Sequence, residues 1–360
     1  MIVKADHPML QYSGRIDRSS IEAPVLVYPC SYIKMKFSGT CVSAVVENHK
    51  AYFGSYLGYF IDGEQGCVKL SESGREAVML ADGLSDGVHE VMLFKRMDGC
   101  HTFTFYGFEI EDGARLCEVE PKPARRIEVY GDSVSAGEVS EAIDCVGQPD
   151  PEHDGEYSNS YYSYAWMTAR RLGAEIHDIA QGGVALLDGT GWFAEPDYMG
   201  MESIYDKIRY YPESTELVKW DFDAYRPHVV IVAIGQNDAN PDNYMALDYK
   251  GEKAERWRNA YRAFLEKLRE IYPEAEIILT TTILEHDANW DRAIGEVCDG
   301  LGDARIHHFL YSRNGTGTPG HIRIPEAEQM AEELAGFIES LGEEVWCDEC
   351  GCGVGMKSNG

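Results

Sequence analysis

The 360-residue sequence predicts an α/β protein in two parts. A β-sandwich of jelly-roll type spans 1–122, and a doubly wound α/β/α domain with a parallel sheet spans 123–345. Three observations carry this. Short β-branched and aromatic stretches, punctuated by Gly and Asp turns, fill the first third. Pro121-Lys122-Pro123 then forms a stiff linker. Beyond it, apolar strands alternate with amphipathic helical stretches, the pattern of a parallel sheet whose sites lie past the carboxyl ends of its strands.

In the first part, 25–28, 33–37, 41–46, 59–61, 77–80, 90–95 and 102–110 each suit a strand. Turn pairs such as Ser38-Gly39, Asp62-Gly63, Asp82-Gly83 and Asp98-Gly99 separate them. No helical stripe of comparable length interrupts them, which argues for a sandwich or jelly roll. In the second part, 126–130 reads as strand, 161–172 as helix and 175–179 as strand. The run 229–234 is continuously apolar, as a strand buried on both faces requires. Ala254, Trp257, Tyr261, Phe264, Leu265, Leu268 and Ile271 recur at helical spacing. Strands at 277–283 and 305–309 follow. Pro325 opens a last helix with Ala327, Met330, Ala331, Leu334, Phe337, Ile338 and Leu341 on one side. A Cys/Gly-rich tail occupies 346–360.

Composition narrows the function classes. With 32 Lys plus Arg against 61 Asp plus Glu, the formal charge is −29. Such a field repels phosphate backbones and anionic membranes, so neither a nucleic acid nor a membrane is expected as partner. No apolar run approaches the ~20 residues of a membrane helix. The N-terminus lacks the apolar core and cleavage site of a secretion signal, so a cytoplasmic location is expected. Seven of the ten cysteines (Cys30, Cys41, Cys67, Cys100, Cys117, Cys145 and Cys298) sit singly at irregular intervals and read as free thiols. Cys347, Cys350 and Cys352 cluster in the tail. A Cys-x-x-Cys pair can hold half a zinc site, but no second pair follows, and a Gly-rich tail without metal is the expectation.

The sharpest local feature is Gly131-Asp132-Ser133, immediately after a strand. A serine at such a turn presents its hydroxyl at the sheet edge and leaves its N–H free as an oxyanion donor. Asp and Ser are also favoured helix caps, so this triplet alone fits either role. Two further segments reach the same edge. Gln181-Gly182-Gly183 offers glycine N–H groups after 175–179, and Gly235-Gln236-Asn237-Asp238 offers an amide after 229–234. Acyl transfer needs such donors where the tetrahedral oxyanion forms. Serine also needs a base. Of 11 histidines, His321 lies in the loop before the closing helix, His307 and His308 lie on the last strand, and His228 precedes a buried strand.

At these residues the chain resembles the SGNH (GDSL-like) hydrolases, and more closely the two-domain acetyl esterases of carbohydrate esterase family 2. The likeness covers nearly the whole chain. In the first part it rests on Tyr59-Phe60-Ile61-Asp62-Gly63, Gly87-Val88-His89-Glu90-Val91 and Lys95-Arg96. In the second it rests on I-E-V-Y-G-D-S at 127–133, N-S-Y-Y-S-Y-A at 159–165, Trp220-Asp221-Phe222, Arg226-Pro227, Gly235-x-Asn237-Asp238, Gly320-His321 and M-A-E-E-L at 330–334. The resemblance implies Ser133 as nucleophile and His321 as base. It implies an oxyanion hole of Ser133, Gly183 (Gly182 as the alternative) and Asn237, and no metal or organic cofactor. The family's Asp three residues before the histidine is here Thr318. Thr318 or a backbone oxygen is therefore expected to orient His321, a distant carboxylate being the alternative.

The implied substrate is an acetylated oligosaccharide of xylo, manno or gluco type. Trp192 and Trp290, with Asp132 and Asp238, are the candidates to contact it, although a lone Trp is more often core. The stretch 138–157 is long for a strand-to-helix connection and lies beside Ser133, as a pocket-shaping segment would. Two other readings fit the sequence: a non-catalytic sugar binder whose Thr318 marks a decayed triad, and an esterase for other short-chain esters.

Overall fold

In the computed structural model, which describes residues 1–211 and 218–348, the first third builds two facing antiparallel sheets. One runs Ile16–Asp17, Val25–Leu26, Thr102–Ile110, Cys41–His49, Arg75–Asp82, with Ile2–Lys4 also paired to Thr102–Ile110. The other runs Leu116–Cys117, Tyr32–Ser38, Val88–Lys95, Tyr56–Ile61, Glu64–Lys69, with Gln11–Ser13 beside Tyr32–Ser38. Alternation along these strands turns one set of side chains inward. Ile33, Met35 and Phe37 meet Val42, Ala44, Val46 and Phe105 in a shared apolar core.

The second part is a five-stranded parallel sheet in the order Ala174–Ala180, Arg125–Gly131, Val229–Ala233, Glu276–Thr280, Ile306–His308. Arg125–Gly131 comes first in the chain yet lies between the second and third strands. Strand order therefore reverses beside it, and a crevice opens at the carboxyl ends there. Tyr164–Arg171 and Ile324–Ser340 cover one face through Ala165, Ala169, Met330 and Leu334. Glu252–Ile271 and Ala288–Leu301 cover the other through Trp257, Tyr261, Leu265 and Ile294.

Two boundaries differ from expectation. The helix expected from 161 starts at Tyr164, because Ser163 accepts from Trp166 N–H and caps it there. The fourth strand ends at Thr280 rather than 283. Beyond the expected elements, Ala288–Leu301 forms a helix whose buried stripe is Trp290, Ala293, Ile294 and Val297. Cys30, Cys41, Cys67, Cys100, Cys117, Cys145 and Cys298 are free thiols, and Cys350 and Cys352 lie outside the described residues. No helix among the described residues is long and apolar enough to cross a membrane.

The halves are joined by buried polar contacts. Arg15 of the sandwich is fully buried, 3.4 Å from Glu128 Oε2, with its guanidinium over Trp220 and Phe222. Ser13 Oγ donates to Glu175 Oε1 at 2.7 Å. Gly99 N–H donates to Ala180 O at 3.1 Å, which brings the sandwich segment Lys95–His101 against the sheet edge.

Candidate active site

The Arg125–Gly131 strand ends in a turn with little room. A Cβ at Gly131 would fall 2.1 Å from Ser135 Oγ, so glycine is required there. Asp132, not Ser133, takes the capping role, its carboxylate accepting from Val134 N–H at 3.0 Å. Ser133 is therefore released from the cap and becomes the first residue of the short helix Ser133–Ala136. It lies on the floor of a cavity of about 660 Å³, within the ordinary range for small-molecule sites.

His321 reaches it from the loop before the last helix, with Nε2 2.8 Å from Ser133 Oγ. Its other nitrogen, Nδ1, lies 2.6 Å from Asp150 Oδ2. Asp150 Oδ1 also accepts from His321 N–H and from Arg323 Nη2, each at 2.8 Å. Burial would raise the Asp150 carboxyl, but the His321 hydrogen bond and charge, with Arg323, hold it well below the usual carboxylate range. An ionised carboxylate only accepts, so Nδ1 carries the hydrogen and Nε2 is left to accept the Ser133 proton. Burial would lower the His321 pKa; the carboxylates of Glu138 and Asp150 outweigh it and hold it above the ordinary histidine value.

This corrects the expectation for Thr318. Its Oγ1 faces Gly320 N–H at 3.4 Å and its carbonyl accepts from Glu285 N–H, so it holds the loop rather than the imidazole. Nδ1 is already taken by Asp150, which belongs to the 138–157 stretch. That excursion supplies the orienting acid and part of the cavity wall.

Besides Ser133, the expected oxyanion donors lie on the segments 181–183 and 235–238. Gly182 and Gly183 both line the cavity beside Ser133, and Gly182 N–H is engaged, donating to Asp98 Oδ2 at 2.8 Å. Gly183 has φ +72°, and a Cβ there would sit 2.9 Å from Trp192 Cβ. Asn237 also lines the cavity. Its Nδ2 donates to Asp132 Oδ2 at 3.2 Å and to Val184 O at 3.1 Å, contacts that one amide hydrogen must exchange to serve an oxyanion. Asp132 further accepts from Gln236 Nε2 at 2.8 Å, so it positions the amide from below and does not line the cavity.

Two other expected contacts are structural. Asp238 is fully buried and accepts from Leu186 N–H at 3.0 Å and Trp257 Nε1 at 2.8 Å; burial raises its pKa to about 7. Trp290 is fully buried edge-on against Trp257, with Nε1 donating to Asn243 Oδ1 at 3.2 Å. Neither can meet a ligand without unfolding its surroundings. Trp192 differs: 65% exposed, it stands on the cavity wall. Asp98 and Glu138 were missed by sequence reading. Asp98 sits in what reads as a turn pair in another domain, and Glu138 at the start of a loop without periodicity.

Comparison with known proteins agrees with this architecture. Residues 12–119 match the family model described as carbohydrate esterase 2 N-terminal. The chain is 28% identical over 348 residues to cellulase/esterase CelE of Acetivibrio thermocellus, covering 93% of this chain and 40% of that protein, so it spans well under half of that relative's length. It is 25% identical over 343 residues to the acetylxylan esterase / glucomannan deacetylase of Cellvibrio japonicus, covering 94% and 90%. A solved family two carbohydrate esterase from Clostridium thermocellum, in complex with cellohexaose, superposes with a TM-score of 0.79 at 24% identity, covering 94% of this chain and 100% of that one. That last likeness speaks to the fold. The chain thus resembles the carbohydrate esterase 2 N-terminal model over 12–119 and shares the two-part fold of its family two neighbour, with Ser133, Gly183, Asn237 and His321 gathered around one cavity.

Proposed function

We propose that the protein is a serine carboxylic-ester hydrolase that removes O-acetyl groups from acetylated oligosaccharides of xylo, manno or gluco type. The observation that carries this reading is the His321 imidazole, linked at once to Ser133 Oγ at 2.8 Å and Asp150 Oδ2 at 2.6 Å on a cavity floor. The names of the two relatives, and the cellohexaose of the solved neighbour, support a carbohydrate on the alcohol side of the ester.

In this mechanism Ser133 Oγ attacks the acetyl carbonyl carbon while its proton passes to His321 Nε2. The carbonyl oxygen becomes an oxyanion received by the N–H groups of Ser133 and Gly183 and by Asn237 Nδ2. Collapse breaks the bond to the sugar oxygen, which takes the proton from Nε2. Water then attacks the acetyl-enzyme by the same route and releases acetate. Asp150 holds the tautomer and stabilises the imidazolium without itself taking the proton.

Asp150 Oδ2, 2.6 Å from His321 Nδ1, supports the catalytic reading over a non-catalytic sugar binder. The test is acetate release from acetylated xylo- and manno-oligosaccharides by the parent, Ser133→Ala and His321→Ala. Release by the parent that disappears in both variants is the expected result. A parent inactive on these substrates and on an aryl acetate would remove the esterase reading and leave sugar binding as the next question.

A further inference from the structure

One carboxyl in the cavity acts in the mechanism above only through its charge on His321 and touches none of the reacting atoms. Glu138 follows Gly137, whose φ of +75° ends the Ser133–Ala136 helix and turns the chain back. The Glu138 N–H donates to Ser133 O at 2.9 Å, tying this residue to the nucleophile's own turn. Its side chain lines the cavity, and Oε2 lies 3.9 Å from His321 Nε2. Across from it is Gly182, where a Cβ would fall 2.9 Å from Glu138 Oε2 and 2.7 Å from Asp98 Oδ2. A side chain at 182 would block the space in front of both acids.

The two carboxyls differ in what they touch. Asp98 Oδ2 is satisfied by protein donors: Tyr52 OH at 2.9 Å, Gln181 Nε2 at 2.6 Å and Gly182 N–H at 2.8 Å. The Glu138 carboxyl makes no hydrogen bond with any described residue; His321 at 3.9 Å is its ion-pair neighbour. A largely buried carboxylate without a donor is costly, and its cost is relieved when a ligand supplies one. The ligand atom nearest His321 Nε2 in the reaction is the leaving sugar oxygen, which Nε2 protonates. An acceptor 3.9 Å from that nitrogen is within reach of a hydroxyl on the next carbon of the same ring.

We propose that Glu138 is a specificity-determining residue that accepts a hydrogen bond from the free hydroxyl adjacent to the acetylated position of the sugar. This rests on the acetyl-ester reading above. It makes the enzyme selective for an ester with a free neighbouring hydroxyl over one whose neighbour is absent or itself blocked.

The test uses the full chain and a matched pair of monoacetylated methyl glycosides, one with the adjacent hydroxyl and one with that position deoxygenated. The ratio of kcat/KM for the pair is measured in the parent, Glu138→Gln and Glu138→Ala. Burial raises the Glu138 carboxyl to about 7, so the ratio is measured above that pH, where a hydrogen bond to the charged acceptor predicts a parent preference of about 10- to 100-fold for the hydroxylated ester. The preference is expected to fall to within about threefold in Glu138→Ala and to be partly kept by Glu138→Gln, whose amide oxygen still accepts. A preference unchanged in both variants, or absent in the parent, would overturn the role of Glu138 while leaving the esterase intact. Failure of the parent to cleave either ester would instead sink the acetyl-ester reading, and this inference with it. Should Glu138→Ala fold poorly, Glu138→Gln, which preserves volume, carries the comparison through its reduced ratio.

Discussion

The two sides of Ser133 are held in different ways. The expected oxyanion side, 181–193 with Asn237, is fixed from beneath by buried acceptors: Asp98 on Gly182, Asp238 on Leu186, and Asp132 on Asn237. The base side is assembled from two loops far apart in sequence, 138–157 and 314–321, joined by partly exposed charged contacts around Asp150. The first is preorganised by the fold. The second exists only while a carboxylate and an imidazole keep compatible charge states. Damage to the oxyanion side should therefore track shape, and damage to the base side should track proton chemistry.

The largest expected effect breaks the base side. Asp150→Asn keeps the size of the side chain but no longer favours the Nδ1–H tautomer, and kcat should fall by about 10³- to 10⁴-fold. A loss below tenfold would mean that another group orients His321. Next, Trp290→Ala opens a cavity behind the oxyanion segment and should cost about 3–5 kcal/mol of stability in denaturant unfolding. Trp192→Ala, on the exposed wall, should shift stability by less than about 0.5 kcal/mol while raising KM for oligosaccharides. Equal stability losses in the two would refute their assignment to core and cavity wall.

Gly183→Ala tests the oxyanion side by shape alone. The left-handed φ and the Trp192 contact displace the backbone N–H, and kcat should drop by about 10²- to 10³-fold with no change in pH profile. The profile itself sharpens the contrast. His321 must be neutral to act, and its pKa is held above the usual ~6.5, so the acid limb of kcat/KM should lie above that value. Removing the Asp150 charge lowers the His321 pKa, so the limb of the residual activity in Asp150→Asn should move to lower pH. An unmoved limb would assign the titration to a different group. Thr318→Val should have the smallest effect, with kcat/KM within about threefold of the parent; a loss like that of Asp150→Asn would restore Thr318 as the orienter.

Legibility in the sequence follows the same division. Ser133, Gly183 and Asn237 each come directly after an apolar strand, so a periodicity argument carries them to one sheet edge. Position alone left His321 among several histidines, and the family resemblance singled it out. Asp150 could not, since it lies 171 residues from His321 in a stretch without period, and no local pattern pairs the two. The only signal was the loop's length and its run of acids at 150, 152, 154 and 156. Trp290 was misread for a different reason: the helix stripe of Trp290, Ala293, Ile294 and Val297 is short and interrupted by charge, and only packing against Trp257 reveals it. Asp238 sits next to Asn237 in sequence but turns inward, because neighbouring residues leave a turn in different directions.

Asp98 carries a consequence for how the chain can be cut. By sequence it belongs to the sandwich, yet its carboxylate receives Gly182 N–H and Gln181 Nε2, next door to the oxyanion glycine. Severing the chain at Pro121-Lys122-Pro123 would therefore not yield an intact Ser133 cavity and a discarded support; it would strip an anchor from the cavity itself. Any attempt to graft the catalytic half onto another scaffold, or to exchange sandwiches between relatives, must carry the Lys95–His101 strip along as part of the transplant.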